Sequence, residues 1–429
     1  MSGTSSRRMR QGATLSLVFG AVLATGAATG AWGQSAGPAP RHGVAAYAAA
    51  VDPAGRDLTP AEARRLVGES GDRWAAYYSP GEYADFAQSL DGAYVGVGLW
   101  VRREQDGVAV SRVQQGTPAA RAGIRAGDRL LRIDGAPADR MPVTEVVARL
   151  RGTGDGDGGD GDGGDDDGGP GGGDRASREA PDGRATPLTG GGAEAGSTVT
   201  LAVRSGSSPV REVTLRRTVL ATQDVTVDHP GPDVTRIAVA AFTSGVGAEV
   251  ADALHTAARR RAADGARHGG VVLDLRGNSG GLLAEAVAAA SAFLDGGPVG
   301  TYQVRGVDRE LTAEPGGDTA TPLVVLVDSG TMSAAELLAG ALQDRCRAVV
   351  VGSRTFGKGT VQEPSRLADG SVLELTVGRY YTPAGRSPDG TGIVPDVSVP
   401  ARSGPAQAEQ LALTVLSGLG GGRSEPSRP

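Results

Sequence analysis

Cysteine and aromatic residues are scarce in this sequence, and each scarcity narrows what the protein can be. The single cysteine, Cys346, excludes an internal disulfide, and its place at a predicted helix end indicates an inert, buried thiol. Aromatic residues make up only 4% of the 429 residues, whereas glycine occurs 69 times. The cores are therefore expected to consist mainly of Val, Leu and Ala, with much of the chain in turns or linkers.

The sequence also lacks any concentration of positive charge. It has 43 basic and 49 acidic residues, a net charge of -6, and no basic stripe that could follow a phosphate backbone. Nucleic acid is therefore not an expected partner. With 429 residues the chain is long enough for two or three domains, each with its own core.

The first 33 residues have the pattern of an export signal. Three arginines precede an apolar run from Ala13 to Ala28, and small residues follow around Ala31 and Gly33. A cleaved signal peptide and an uncleaved membrane anchor both fit, because Ala13 to Trp32 approaches the ~20 residues that span a bilayer. In either case we expect an extracytoplasmic protein, secreted or attached to the outer face of the cytoplasmic membrane.

The rest of the chain changes its pattern twice. Residues 34–90 contain helix-start signals at Thr59 and Ser79, each followed by a proline and then by a glutamate. Short alternating strands from Tyr94 to Arg217 then predict a small, mostly β module. After Val219, apolar strands alternate with helices, which indicates an α/β layer whose sheet is covered on both faces.

An Asp/Gly-rich run, residues 153–193, interrupts the β module. It has almost no apolar residue and cannot offset the entropy of folding, so we expect a disordered surface loop. A Ca²⁺-binding repeat is the alternative, but such repeats need a regular apolar position that this run lacks. The tail, residues 404–429, ends in Gly, Ser and Pro and is also predicted to be flexible.

The stretch GTMSAAELLAGALQ permits two interpretations of Ser333. Ser333 followed three residues later by Glu336 fits a capping box, in which the serine only starts a helix. Ser333 also follows the strand PLVVLVD, so its hydroxyl lies at a helix N-terminus, where free backbone N–H groups stabilise negative charge. A nucleophile benefits from this place, because the N–H of Ala334 can bind the oxyanion of a tetrahedral intermediate.

A serine nucleophile needs a base, and the histidines of the sequence lie in no motif with Ser333. They are His42, His229, His255 and His268. Lys358, in the glycine-flanked turn GSRTFGKGTVQ, is the only lysine in a chain that otherwise uses arginine. A desolvated lysine can lose its proton near neutral pH, whereas arginine stays protonated. Lys358 is therefore the candidate base, with a solvated turn lysine as the alternative.

Together these motifs resemble those of the carboxyl-terminal processing proteases of peptidase family S41, which are PDZ-containing serine peptidases with a Ser–Lys dyad. The resemblance extends from Trp74 to Pro400. In the β module it rests on DGAYVGVGL and GTPAARAGIRAGDRLLRIDG. In the α/β region it rests on DLRGNSGG, SAAELLAGALQDRCRAVVVG, TFGKGTVQ and GRYYTPAGRSPDGTGIVPD.

The resemblance implies a fold of the α/β class. We expect a crotonase/ClpP-like layered α/β protease core with an embedded, mostly β PDZ domain and an N-terminal helical segment. The implied parts are an export segment 1–33, a helical segment 34–90, a PDZ domain 91–218 with its insertion, a protease core 219–403 and a tail 404–429.

The resemblance also implies roles for individual residues. Ser333 would be the nucleophile and Lys358 the general base, with Gln362 holding the lysine side chain. Gly280, in DLRGNSGG, would join Ala334 in the oxyanion hole.

In the PDZ domain, the resemblance places a carboxylate-binding loop in YVGVGL. The residues implied to bind the substrate there are Gly96, Val97, Gly98 and Leu99. Successive N–H groups in such a glycine-containing turn suit one negative charge, and an apolar last side chain would fill the adjoining pocket.

These assignments predict an exported serine endopeptidase that cleaves proteins near their C-termini through an acyl-enzyme. Its expected partners are protein or peptide substrates with free apolar C-termini, and no metal or organic cofactor is implied. The alternative is a catalytically inactive, PDZ-containing peptide-binding protein in which Ser333 is only a helix cap. The presence together of Ser333, Lys358 and Gln362 argues against that alternative.

Overall fold

The structure, a computed structural model, divides into two compact units, of which the second is Ala93–Ala221 and the first comprises the chain on either side of it. It describes residues 58–104, 107–152, 194–231, 233–263, 269–304, 306–400 and 404–421. The predicted export segment, the predicted disordered loop, His42 and His268 lie outside these residues. Within the described ranges, no helix combines the length and apolar character needed to cross a bilayer.

The first unit begins with two capped helices, α1 (Pro60–Glu69) and α2 (Pro80–Leu90). Thr59 and Ser79 are their N-caps, and both helices have complete capping boxes, which confirms the two start signals. Between the helices lies β1 (Ala76–Tyr78), a strand that the sequence did not predict. Three residues are too few for an alternating pattern to reveal a strand.

The second unit is a small β-rich domain, as the alternating pattern predicted. Its elements are β2 (Ala93–Gly96), β3 (Leu99–Glu104), β4 (Gly107–Val113), α3 (Pro118–Arg121), β5 (Arg129–Ile133), β6 (Ala136–Pro137), a 3₁₀ turn (Ala138–Arg140), α4 (Val143–Arg151), β7 (Thr198–Arg204), β8 (Arg211–Arg216) and β9 (Thr218–Ala221). The main sheet has the order β3-β4-β5-β7-β8, with β6 beside β5, and β2 pairs with β9. One apolar core fills this unit.

The first unit continues after Thr222 as an α/β layer. Its elements are β10 (Val225–Gly231), β11 (Val234–Val239), α5 (Val246–Ala263), β12 (Gly270–Asp274), α6 (Leu283–Phe293), β13 (Pro298–Val304), β14 (Val307–Thr312), β15 (Leu323–Val327), α7 (Ala334–Asp344), β16 (Val349–Gly352), β17 (Thr360–Arg366), β18 (Val372–Tyr381), β19 (Val397–Ser398) and α8 (Pro405–Gly421). One sheet has the order β10-β11-β12-β15-β16-β19 and is parallel from β11 onward.

Helices cover both faces of this sheet, as the sequence predicted. On one face, α5, α6 and α7 share a large core that consists mainly of Val, Leu and Ala. On the other face, α8 buries Ala408, Ala412 and Leu416. The expectation of a flexible tail from residue 404 is therefore wrong for Pro405–Gly421, because apolar residues at four-residue spacing give this helix a buried face despite its glycines.

A second sheet in the first unit is organised by the ten-residue strand β18. The order is β1-β18-β13-β14, and β17 also pairs with β18. Because β1 and β17 both pair with the first half of β18, they lie on its two opposite edges, and β18 separates the short N-terminal strand from the strand that follows Lys358.

Candidate active site

Ser333 lies in the turn between β15 and α7, with φ 54° and ψ -118°. Asp134 and Cys346 are the other non-glycine residues with positive φ in the described part of the chain. Such a conformation costs on the order of 1–3 kcal/mol and persists only where surrounding contacts impose it. The residue is 1% exposed, so those contacts surround it on all sides.

Backbone hydrogen bonds hold Ser333 in this conformation. Its N–H donates to Glu336 Oε2 at 2.9 Å, and its carbonyl accepts from the N–H of Glu336 at 2.8 Å and from the hydroxyl of Tyr380 at 2.8 Å. The helix start is therefore satisfied through the backbone of Ser333 and the carboxylate of Glu336. It does not depend on the Ser333 hydroxyl alone.

Glu336 joins the turn of Ser333 to the turn of Lys358. Its Oε2 also accepts from the N–H of Lys358 at 2.8 Å, while Oε1 accepts from Thr355 Oγ1 at 2.5 Å and from the N–H of Gly357 at 2.8 Å. The side chain is fully buried. Burial raises the pKa of Glu336, and these four hydrogen bonds to the carboxylate oppose the rise.

Tyr380, on β18, makes a second connection between the same two turns. Its hydroxyl lies 2.8 Å from the carbonyl oxygen of Ser333 and 2.6 Å from that of Lys358. Complete burial raises the pKa of this hydroxyl well above its ordinary value, so it remains a donor over the whole range in which enzymes work. Glu336 and Tyr380 together fix the two peptide segments relative to each other.

Lys358 is buried, with 2% of the residue exposed, which excludes the solvated-turn alternative. Burial lowers the pKa of Lys358 to about 8, against the opposing charges of Glu374, Asp72 and Glu336. Its Nζ lies 4.7 Å from the centroid of the Trp74 ring. A lysine in this environment is neutral in a far larger fraction of molecules near neutral pH than an exposed lysine, and the neutral form can accept a proton.

Gln362 is also buried and lies at the start of β17. Its Nε2 donates to Thr360 Oγ1 at 2.8 Å and to Thr376 Oγ1 at 3.1 Å, and Thr376 is in turn bonded to Asp72 through both its N–H and its hydroxyl. These bonds leave the amide oxygen of Gln362 to accept from a lysine. That Gln362 holds the Lys358 side chain stays a prediction.

The predicted oxyanion donors lie on two loops that are bonded to each other. The N–H of Met332 donates to the Asn278 carbonyl at 2.8 Å, which brings the loop of Gly280 against the turn of Ser333. The N–H of Gly280 donates to Asn278 Oδ1 at 2.8 Å. An oxyanion would therefore compete with Asn278 for this donor. Ala334 is the first residue of α7, where an N–H has no partner within the helix.

The glycines of the predicted carboxylate-binding loop are conformationally constrained. Gly98 has φ 81°, and a Cβ atom there would lie 2.4 Å from Thr117 Oγ1. Gly96 ends β2 and is buried, Val97 is buried in the core of the second unit, and half-buried Leu99 begins β3. The side chain of Val97 thus contributes to the core, and its contribution to a peptide pocket stays a prediction.

The remaining titratable candidates do not assemble into a site in the described residues. His229 and His255 are exposed, on β10 and α5. Across the described ranges there is no cluster of three or more His, Cys, Asp or Glu side chains that could hold a metal ion. Cys346 is exposed, so the expectation of a buried thiol is wrong. Cys346 has a positive φ of 51° and ends α7 in a left-handed turn, in which the N–H of Arg347 donates to the carbonyl of Leu342.

Three of the residues that shape this site were not identified as site residues from the sequence. From the sequence, Glu336 was interpreted only as a helix-capping residue. Its position three residues after a candidate nucleophile was the one local sign that it could also help to position Ser333. Tyr380 and Trp74 carried no local signal, because β18 and the segment before β1 reach the site only through tertiary structure.

Comparisons with known proteins show which family this chain is similar to. The profile of peptidase family S41 matches residues 233–399, and the profile of the PDZ domain matches residues 87–156. The carboxyl-terminal-processing protease of Synechocystis sp. is 31% identical over 355 residues, which cover 79% of this chain and 72% of the relative.

Other relatives are longer than this chain. Carboxyl-terminal-processing peptidase 3, chloroplastic, of Arabidopsis thaliana is 30% identical over 78% of this chain but 59% of its own length. A probable CtpA-like serine protease of Staphylococcus aureus is 30% identical over 78% of this chain and 58% of its own length. Among solved structures, the photosystem II D1 C-terminal processing protease is 28% identical, with 82% of this chain and 84% of that chain covered at a TM-score of 0.45.

Proposed function

We propose a mechanism from the premise that this chain belongs to the carboxyl-terminal-processing proteases of peptidase family S41, which are serine-type peptidases. In this mechanism Ser333 Oγ attacks the carbonyl carbon of the scissile peptide bond while neutral Lys358 Nζ takes the hydroxyl proton. The lysine then gives that proton to the leaving amine, and water hydrolyses the acyl-enzyme. The substrates are peptide chains, which we propose are cut near their C-termini.

The observation that carries this proposal is the environment of Lys358. It is the only lysine of the chain, it is 2% exposed, and burial lowers its pKa to about 8. Its turn is bonded through Glu336 and Tyr380 to the turn of Ser333. A general base works best when its pKa is close to the operating pH, and this lysine meets that condition.

A serine-reactive fluorophosphonate probe tests the nucleophile directly. The wild type should be labelled once, at Ser333, and Ser333→Ala should not be labelled and should not hydrolyse peptides. Ser329→Ala is the matched control, because Ser329 is an exposed serine in the same turn. If Ser333→Ala retained labelling and turnover, the helix-cap interpretation would be correct and the nucleophile would lie elsewhere.

We propose further that the second unit binds the free, apolar C-terminus of the substrate. The strand β3 is an edge strand of the main sheet, since it pairs only with β4 among the described strands, and α4 packs against it. An extended peptide can therefore add to β3, with its carboxylate at the N–H groups around Gly98.

Binding of matched peptides to the inactive Ser333→Ala variant tests this proposal. Amidation of the C-terminus removes the charge, and a final Asp places a second charge in an apolar pocket. Each change should weaken binding by roughly 1.5 to 3 kcal/mol, the scale of lost hydrogen bonds to a charged group. Equal affinities of the free-acid and amidated peptides would end the claim that this unit binds C-termini.

Export remains a proposal that rests on the sequence of the first 33 residues. We propose that the chain acts outside the cytoplasm, either released after cleavage or held at the outer face of the membrane. N-terminal sequencing of the enzyme from fractionated cells tests this. An uncut N-terminus in the cytoplasmic fraction would contradict both forms of the proposal.

A further inference from the structure

Asp72 fastens the turn between α1 and β1 to the middle of β18. Its Oδ2 accepts from the N–H of Thr376 at 2.8 Å, and its Oδ1 accepts from the hydroxyl of Thr376 at 3.0 Å and from the N–H of Trp74 at 2.9 Å. Hydrogen bonds to an ionised carboxylate are stronger than those between neutral groups. One side chain therefore fixes the backbone of Trp74 relative to a strand residue that follows 304 positions later in the chain.

Trp74, held in this way, packs against the loop that carries Lys358. Its ring centroid lies 4.7 Å from Lys358 Nζ, 4.4 Å from Arg73 Cζ and 5.8 Å from the centroid of the Phe356 ring. Phe356 belongs to the same loop as the lysine, and its N–H donates at 3.0 Å to the carbonyl of Thr331, two residues before the proposed nucleophile. The indole ring therefore forms one wall of the space around the lysine amine.

Thr376 lies between Asp72 and Gln362, and its hydroxyl has one proton to donate. That proton goes to Asp72, so the hydroxyl oxygen accepts from Gln362 Nε2, at 3.1 Å. Thr360 Oγ1 accepts from the same nitrogen at 2.8 Å. The amide of Gln362 is thus oriented with its nitrogen, not its oxygen, toward both threonines. Without Asp72 the hydroxyl of Thr376 could donate to the amide oxygen, and the reverse orientation would become available.

We propose that Asp72 is a positioning residue for the general base, an inference that rests on the role proposed for Lys358. Through the backbone of Trp74, it keeps the indole ring beside the lysine amine. Through Thr376, it fixes the amide of Gln362, which is predicted to hold the same amine. A lysine has a flexible four-carbon stem, and a base is effective only when its nitrogen stays within hydrogen-bonding reach of the hydroxyl. Asp72 acts by limiting the positions that the amine can take, and no step of the reaction passes through it.

The single lysine gives a spectroscopic test of the position of the amine. With ¹³C-labelled lysine in the inactive Ser333→Ala background, one set of Cε–Hε resonances reports Lys358, and the ring current of Trp74 should shift its protons upfield. Trp74→Leu should abolish this shift and Asp72→Ala should reduce it, whereas Trp74→Phe should keep much of it. Tyr83→Leu is the matched control, because it removes another ring with an arginine Cζ 5.3 Å from its centroid, and it should leave the lysine signal unchanged.

Asp72→Ala should lower kcat by roughly 10- to 100-fold and leave KM near the wild-type value, because it misplaces a catalytic group and not the substrate. Since Asp72 also places a charge near the lysine, kcat is compared on the alkaline plateau of the pH profile, where the lysine is neutral in each variant. Asp369→Ala is the matched control and should keep wild-type kcat. Asp369 accepts from the N–H of Ser371 at 3.0 Å and from its hydroxyl at 2.6 Å, at the end of the β17–β18 hairpin remote from Lys358.

Thr376→Val separates the two routes without changing any charge. The N–H at this position can still donate to Asp72, so the ring shift of the lysine should remain. The hydroxyl between Asp72 and Gln362 is lost, so kcat should fall by about 10-fold. Thr376→Ser, which keeps the hydroxyl, should retain wild-type kcat.

Wild-type kcat together with an unchanged lysine signal in Asp72→Ala would overturn the inference. Equal losses of kcat in Asp72→Ala and Asp369→Ala would also overturn it, because the role would then be merely structural. If Asp72→Ala fails to fold, the substitutions at Thr376 decide, and wild-type kcat in Thr376→Val overturns the inference. Peptidase activity in Lys358→Ala would instead refute the proposed base, a result that leaves the ring-shift measurements unchanged.

Discussion

Ser333 and Lys358 are neighbours in the proposed mechanism, yet they are held by different kinds of interaction. The backbone of Ser333 is fixed in a positive-φ conformation by hydrogen bonds from Glu336 and Tyr380. The turn of Lys358 shares those two partners, but its ammonium group is governed by burial, by the face of Trp74 and by carboxylates around it.

This difference separates two ways of losing activity. A neutral change in the bonds around Ser333, such as loss of the Tyr380 hydroxyl, should displace the nucleophile and lower kcat equally at every pH, since no charge near Lys358 changes. Disturbing the surroundings of Lys358 Nζ should instead move the pH at which activity appears. The following predictions, from the largest expected effect to the smallest, test whether the two regions can be separated in this way.

The largest effect should come from Lys358→Arg. Arginine keeps the positive charge and part of the packing but stays protonated, so it cannot accept the Ser333 proton. We expect kcat to fall by about 10²–10⁴-fold, as far as in Lys358→Ala, because general-base catalysis is lost in both. Peptide hydrolysis measured for the two variants side by side decides this, and substantial turnover by Lys358→Arg would exclude the lysine as base.

A smaller loss is expected for Glu336→Gln. The amide can accept hydrogen bonds on one atom only, so at least one pair of the N–H and hydroxyl donors now bound to the carboxylate loses its partner. Misplacement of the nucleophile by about 1 Å costs on the order of 10²-fold in rate. Steady-state kinetics should show a fall in kcat, and urea unfolding should show lower stability. Wild-type kcat would show that the Glu336 bonds do not position Ser333.

Tyr380→Phe tests the same region with a neutral change. It removes one buried hydroxyl and leaves the two carbonyl groups without that donor, which should cost about 1–3 kcal/mol of stability. We expect kcat to fall while the pH midpoint of kcat/KM stays at the wild-type value, since Tyr380 carries no charge. A shifted midpoint would mean that the two regions are not separable.

Much of this architecture could be predicted from the sequence because the signals are local. Capping boxes at Thr59 and Ser79 located α1 and α2, and apolar strands alternating with helices gave the covered α/β sheet. A single lysine among 42 arginines pointed to Lys358. The capping boxes and the alternation of strands and helices depend on residues close together in the chain, whereas Lys358 stands out through the composition of the whole sequence.

What the sequence did not reveal depends on long-range pairing. The segment around Trp74 lies near Lys358 because β1 pairs with β18, nearly 300 residues later in the chain. No pattern in Ala76–Tyr78 predicts that pairing. Glu374 and Tyr380 both lie on β18, where their burial is set by strands from distant parts of the chain. The helix α8 was missed for another reason, because Gly and Ser residues obscured its buried apolar face.

The smallest effect, and the one that compares the two regions most directly, is the pH dependence of stability. Burial lowers the pKa of Lys358 from 10.5 to about 8, so between these values the unfolded chain binds more protons and stability should rise with pH. Burial raises the pKa of Glu374 from 4.5 to about 7, so in that window the folded chain binds more protons and stability should fall as pH rises.

Lys358→Met should remove the rise in stability between pH 8 and 10.5, and Glu374→Gln should remove the fall between pH 4.5 and 7. Each slope is at most about 1.4 kcal/mol per pH unit. Tyr380→Phe should lower the whole curve without changing either slope. Urea unfolding of the four proteins across this pH range measures all three outcomes. Parallel curves for wild type and both charge variants would show that the buried charges are not coupled to folding as their burial requires.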